Sequence, residues 1–509
     1  MYLLSSERKI ALHMNSPQEC LRVLATKLVV IAGLVLLPQL ISAAVLPAST
    51  FLEVRLSSAT GSRISHAGDT VNATVIAPVF VGGRLLIPQG AVVSGAVEEA
   101  GRLGYGLKHS TSNMQYRFTS LQLTDGTTVP IDAGVAQVET AKERVNADGL
   151  IRGIYPTANV SSSLASYVIP LLWISPHFGL PFLGIKVVIA RSPDPEISFP
   201  AGTEFILRLA ADATIPYRAT PASAIPQLSY QDMAAVHRVL AKLPQQRTNR
   251  GPNHPSDLVN ILFLGNRDAL NRVFHAAGWS GAHQQSLRSI FGMYHCMVQR
   301  MGYSMAPMGR LTLNGVRADL GYQKSLNTFS KRHHVRLWKQ QEDEAWLSSA
   351  SEDVGYRLRN MHLTHATDPV IDNERNKVLN DLAFTGCLDA AALVPRVMAD
   401  QQETSIKTDG RIAVLRLNDC EQPRIVEKES TAGKQRPRAI QALVALRNDL
   451  IRNNPVFLAY NSMKLLYDRR SGRGSGAGAS KQQKTGAPEV NVQSAWIRPS
   501  VLDAAAQTN

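Results

Sequence analysis

Histidines, carboxylates and arginines that could do chemistry follow one another along the second half of this 509-residue chain: His333-His334-Val335-Arg336, Glu352-Asp353, His365, Asp368, Asp372 and Arg375. Imidazole nitrogens and carboxylate oxygens together suit a divalent metal such as zinc or manganese, and a guanidinium holds phosphate through paired N–H donors. One reading therefore is a metal-dependent hydrolase of the phosphoester class. Its candidate catalytic residues are His334, Asp353, His365, Asp368 and Asp372, its candidate metal ligands His334, His365 and Asp368, and its candidate anion binders Arg336 and Arg375. The other reading is structural: Asp368 caps a helix, Asp372 and Arg375 form a buried ion pair, and the histidines satisfy backbone groups. No HExxH-type spacing ties the candidates together locally.

The elements that must position these residues can be read from periodicity. Strand alternation puts His333, Val335 and Leu337 on one face and His334, Arg336 and Trp338 on the other, so only one histidine belongs to any site. His334, beside Arg336, is the better candidate. Asp368-Pro369 predicts a helix start. Ile371, Arg375, Val378 and Leu382 then share one stripe, where a charge needs a partner such as Asp372, Asp368 or Asp353. Upstream, the apolar run LVNILFLG leads into ALNRVFHAAGW, in which Leu270, Val273 and Phe274 share a face, so the region from 255 to 425 reads as a mixed α/β domain. No phosphate-binding loop and no GxSxG elbow is present in the sequence.

Three of these stretches, PSDLVNILFLGNRDALNRVFHAAGW, ADLGYQKSLNTFSKRHHVRLW and THATDPVIDNERNKVLNDLAFTG, resemble the LssY-like C-terminal domain over residues 252–417. The resemblance implies an envelope protein, by way of a proposed type I secretion component that gives the family its name. It implies no particular catalytic activity.

Residues 50–215 read differently. FLEVRLSSATGS, TVNATVIAPVFVGGRLLIPQGAVVSGAVEE, MQYRFTSLQLTDGTTVPIDAGVAQVET and EISFPAGTEFILRLAA are strand-like and separated by turn signals such as Asp125-Gly126, and Val71, Ala73 and Val75 alternate with Asn72 and Thr74. An all-β barrel or sandwich is predicted. The order GDTVNATVIAPVFVGGRLLIPQGAVVSG, RFTSLQLTDGTTVPI, FPAGTEFILRL resembles the β-domain of TrbI-like subunits of type IV secretion and conjugation channels. An apolar insert at 164–190, broken by Pro170, Pro176 and Pro181, predicts a helical hairpin that either meets a membrane or packs within the protein.

Arg22 and Lys27, the apolar run Leu28–Ile41 and the small residues Ser42-Ala43-Ala44 predict an export signal over 1–44 and a place on the periplasmic side of the cell envelope. Beyond the signal, Cys296, Cys387 and Cys420 lack metal-ligand spacing, which leaves one disulfide plus a free thiol, or three thiols. Residues 216–254 predict a linker, 437–467 a helix, and 471–509 a disordered tail. A net charge of +14 suits an anionic surface, and the sparse aromatics among the C-terminal cations argue against nucleic acid. Together these features favour a non-catalytic component of a membrane-associated or secretion-related assembly over the hydrolase, with any divalent metal an open question.

Overall fold

The computed structural model describes residues 42–102, 111–139, 143–154, 196–217, 225–241, 247–249, 255–283, 286–289, 292, 305–309, 311–325, 332–340, 344–359, 362–396, 406–424, 498–500 and 502. It divides into two compact units. The described residues of the smaller are 42–44 and 214–217, which belong to the strands Ser42–Leu46 and Ala213–Tyr217. All that follows lies in the larger unit, residues 45–213 and 220–509.

Six antiparallel strands close into a barrel: β1 (Phe51–Leu56), β2 (Thr70–Val75), β3 (Val92–Gly101), β4 (Asn113–Gln122), β5 (Thr128–Val138) and β6 (Glu204–Leu209). Their order is β4-β3-β2-β1-β6-β5, and a β4–β5 ladder joins the ends. Closure leaves the ring of six without a free edge. The expected alternation on β2 is present, with Val71, Ala73 and Val75 buried and Asn72 exposed. Leu52, Val54, Phe118, Phe205 and Leu207 fill the interior, and Phe199 meets Phe205 edge to face at 5.2 Å. At the β4–β5 turn Gly126 takes φ +86°, a conformation that excludes most side chains, while the Asp125 carboxylate accepts from the Thr127 amide at 2.8 Å.

The second domain is a mixed sheet covered on both faces. Its strands are β7 (Ile261–Leu264), β8 (Leu320–Ser325), β9 (Arg332–Lys339), β10 (Ala345–Arg359), β11 (His362–Thr367), β12 (Leu388–Pro395) and β13 (Arg411–Leu417). They run in the order β8-β9-β10-β7-β13-β12, with β11 also on β10, and within this set only the β7–β13 ladder is parallel. Helix α1 (Tyr230–Ala241) packs Val236 and Val239 against Leu262, Trp338 and Val414 on one face. On the other, α2 (Arg267–Ala276) and α3 (Ile371–Phe384) bury Leu270, Val273, Phe274, Val378 and Leu382 against Phe263, Val335, Leu337 and Trp346. The split of β9 into two faces is the one its alternation predicts.

Three expectations need correction. The stretch 216–254 is not simply a linker, because α1 lies in it and its apolar face is covered by the sheet. Helix α3 starts at Ile371, not at Pro369; Asp368 ties the preceding turn, accepting from the Val370 amide at 2.9 Å and the Asn373 side chain at 3.1 Å. The tail is ordered at 498–500, where Arg498 and Ser500 are buried. The insert 164–190 and the helix expected at 437–467 lie outside the described residues. Among the described residues no helix is long and apolar enough to cross a membrane.

Cys387 and Cys420 form a disulfide, which resolves the alternatives the three cysteines left open. It staples the end of the β12–β13 hairpin, next to the Leu388–Leu417 register pair.

Truncating Phe205 to Ala removes the ring at the centre of the barrel's aromatic contacts. The expected loss is about 3–5 kcal/mol, read as a lowered urea midpoint with an unchanged slope.

Candidate functional site

On β1, Leu52, Val54 and Leu56 point into the barrel, so Glu53 and Arg55 project outward, where solvent would be expected. They are instead only 2% and 6% exposed. The same holds for Glu204 on β6, directly opposite Arg55 in the ladder, and for Glu139 just after β5. What covers this outer face of the barrel is the second domain, chiefly α3.

Helix α3 has two buried faces of opposite character. Val378, Leu379 and Leu382 enter their own domain's core, while Lys377 and Asp381, four residues apart, meet the barrel and Glu374 meets His333. The Lys377 ammonium lies 2.8 Å from Glu204, 3.0 Å from Asp381 and 3.3 Å from Glu53. Lys324 on β8 reaches Glu204 at 2.7 Å and Asp381 at 3.2 Å. Arg55 bonds Glu204 at 2.6 Å and Asp381 at 3.2 Å, and the Trp279 indole donates to Asp381 at 3.1 Å. From the C-terminal segment, Arg498 donates to Glu53 at 2.8 Å and to Glu139 at 3.4 Å. Arg498 is held by the backbone and side chain of Asn373, and its own carbonyl accepts from Asn376.

One end of this cluster contains His333. Its Nδ1 lies 2.6 Å from Glu374 and its Nε2 3.6 Å from Glu139, beyond hydrogen-bonding reach. Glu352 faces His333 across the β9–β10 ladder. Nitrogen or oxygen atoms of His333, Glu352 and Glu374 all lie within 4.8 Å of one another, and all three residues are buried. Glu374 Oε1, His333 Nε2 and Glu139 Oε2 have no hydrogen-bond partner.

The electrostatics follow from burial and charge count. Six carboxylates (Glu53, Glu139, Glu204, Glu352, Glu374, Asp381) face four permanent cations (Arg55, Lys324, Lys377, Arg498). Burial alone would raise the Glu204 and Asp381 pKa values, but Lys324, Lys377 and Arg55 outweigh it and hold both below the ordinary carboxylate range. Burial would likewise neutralise His333, but Glu374 and Glu139 hold it protonated, well above the usual imidazole range. Glu352 is pushed up to about 7, first by burial and then by Glu139 and Glu374. A proton on His333 and another on Glu352 thus bring the cluster to neutrality.

The residues singled out in the sequence occupy other places. His334 lies on the opposite face of β9, bonded to Asp353 at 2.8 Å, with Arg332 3.6 Å from the same carboxylate. Arg336 approaches Asp257 at 3.5 Å. Asp372 and Arg375 pair at 3.1 Å, and Arg375 also forks onto Asp409 at 2.7 and 2.9 Å. That guanidinium overrides the effect of burial and lowers the Asp409 pKa to about 2. Asp368 serves the turn before α3. His365 sits on β11 opposite Tyr356, and its side chain lies outside the described residues. The structure thus joins His334 with Asp353, and Asp372 with Arg375. Sequence reasoning passed over Glu53, Arg55, Glu139, Glu204, Lys324, His333, Lys377, Asp381 and Arg498. The available signal was Asn373, Asn376 and Asn380, poor helix formers at helical spacing that point to side-chain hydrogen bonds.

Fold and site together define a two-part β protein: a closed barrel joined to a helix-covered mixed sheet through a buried ion cluster. Residues 240–412 match the family model of the LssY C-terminus, which covers the second domain from the end of α1 to the start of β13. The barrel and Arg498 lie outside that match. Among solved structures, ComB10 of the Com type IV secretion system of Helicobacter pylori matches at 14% identity, with 34% of this chain and 92% of that one covered and a TM-score of 0.19. At that TM-score the likeness bears on neither fold nor function. No curated protein matches the chain.

Asp381→Asn leaves Lys377 and Lys324 short of a charge in a closed site, with an expected cost of about 3–5 kcal/mol in chemical denaturation. Because Glu204 and Asp381 titrate lower folded than unfolded, the stability they contribute is complete above the unfolded carboxylate range. It should be lost as pH falls below about 4, giving a steep acid limb that Asp381→Asn flattens.

Proposed function

We propose that this chain is an exported protein of the bacterial cell envelope, acting as a non-catalytic component of a membrane-associated or secretion-related assembly. The observation that carries the reading is the Cys387–Cys420 disulfide, since such bonds persist in oxidising compartments and are rare in the cytosol. It agrees with the charged, apolar and small-residue order of the N-terminal segment, two independent features that point to one compartment. The non-catalytic part of the reading draws on the charge cluster. Its histidine, lysines and carboxylates are committed to one another beneath the barrel, as groups that hold two domains together are, whereas groups that act on a substrate must reach it. In this reading the barrel and the LssY-type domain form one body, and the assembly contacts its outer surfaces.

The test is thiol alkylation of the full chain expressed in a Gram-negative host. Osmotic-shock fractions should contain the protein with Cys387 and Cys420 unreactive until reduced. In a host unable to form periplasmic disulfides both thiols should label, and stability should fall by about 3–4 kcal/mol, the loop-closure value for a bridge of sequence separation 33. Retention in the cytosol with both thiols free would overturn the proposal.

A further inference from the structure

Charge and geometry at the His333 end of the cluster point to a ligand. The described cluster carries two more carboxylates than permanent cations, an excess that two protons or one dipositive ion would cancel. The excess is concentrated around His333, because Lys324, Lys377 and Arg55 lie against Glu204 and Asp381, Lys377 also lies 3.3 Å from Glu53, and Arg498 bonds Glu53 and Glu139. That leaves Glu352 and Glu374 beside one imidazole. Their oxygens and a ring nitrogen come within 4.8 Å of one another, and Glu374 Oε1 and His333 Nε2, on residues at most 1% exposed, have no hydrogen-bond partner.

We infer that His333, Glu352 and Glu374 form a structural binding site for a divalent transition metal, of the zinc or manganese type, at the junction between the barrel and the LssY-type domain. One imidazole with two carboxylates is a borderline-to-hard donor set, which suits these ions better than the thiolate sites of soft metals. A dipositive ion cancels the excess charge with no further proton on the site. Glu139, 3.6 Å from His333 Nε2, adds a further carboxylate beside the three ligands. The three ligands come from β9, β10 and α3, all within the LssY-type domain, on the side where His333 approaches Glu139 of the barrel. The site is separate from the His334–Asp353 pair on the other face of β9. The inference stands whether or not the chain is exported.

Metal content of the purified full chain after incubation with zinc or manganese alone is measured by elemental analysis, and affinity by calorimetry. About one equivalent per chain is expected, with a melting midpoint that rises with metal concentration. Glu352→Gln keeps the shape and removes the charge; it should bind at least tenfold more weakly while its metal-free melting midpoint is unchanged or higher. Asp353→Asn, on the opposite face, should bind as the original does. X-ray absorption at the metal edge of the unmodified protein needs no variant, and should show one imidazole with oxygen donors. A metal-free protein, an edge spectrum without imidazole, or equal binding by Glu352→Gln would each overturn the inference; so would loss of binding in Asp353→Asn alone, which would move the ion to the His334 face.

Discussion

A buried lysine holds this structure together. Lys377 has three carboxylates within 3.3 Å, two from the barrel and one from its own helix, and it stays charged because they outweigh its desolvation. A buried ammonium cannot lose its partners without a large penalty, and neither can they lose it. Helix α3 therefore has to stand against β1 and β6, and the barrel has to present Glu53, Arg55 and Glu204 on an outer face that a free-standing barrel would leave to solvent. Such a cluster contributes little net stability compared with apolar packing; what it fixes is one arrangement, since any other docking strands a charge.

The same constraint explains why a short C-terminal stretch is drawn in. Glu53 and Glu139, which already face Lys377 and His333, gain a second counter-charge from Arg498, 445 residues away in sequence from Glu53. Asn373, Asn376 and Asn380 hold that stretch by its backbone. The family match ends before it and begins after the barrel, so the cluster arises from the joining of the parts.

Much of the fold was legible because period-2 alternation reports on one strand and its two faces. Val71, Ala73 and Val75 gave the barrel wall, and His333/Val335/Leu337 against His334/Arg336/Trp338 gave a sheet buried on both sides. Leu270, Val273 and Phe274 gave α2. The pairing of Arg375 with Asp372 was legible because a charge in an apolar stripe demands a near neighbour. The ion cluster was not, because its members come from β1, β6, β8, β9, β10, α3 and the C-terminal stretch, and each alone looks like a solvated side chain. Choosing His334 over His333 rested on the rule that a charged neighbour marks a polar face. His333 is also surrounded by charge, from Glu374 and Glu139, residues distant in sequence.

The central claim is that the buried charges make barrel and LssY-type domain a single cooperative body. Native-state hydrogen exchange followed by mass spectrometry tests it most directly, comparing amides of Phe51–Leu56 with those of Ile371–Phe384 in the unmodified chain and in Lys377→Met. The account predicts one shared opening free energy for both segments, lowered together by the substitution, by about 3–5 kcal/mol. Independent opening, with the barrel strand keeping its protection when Lys377 is replaced, would contradict it.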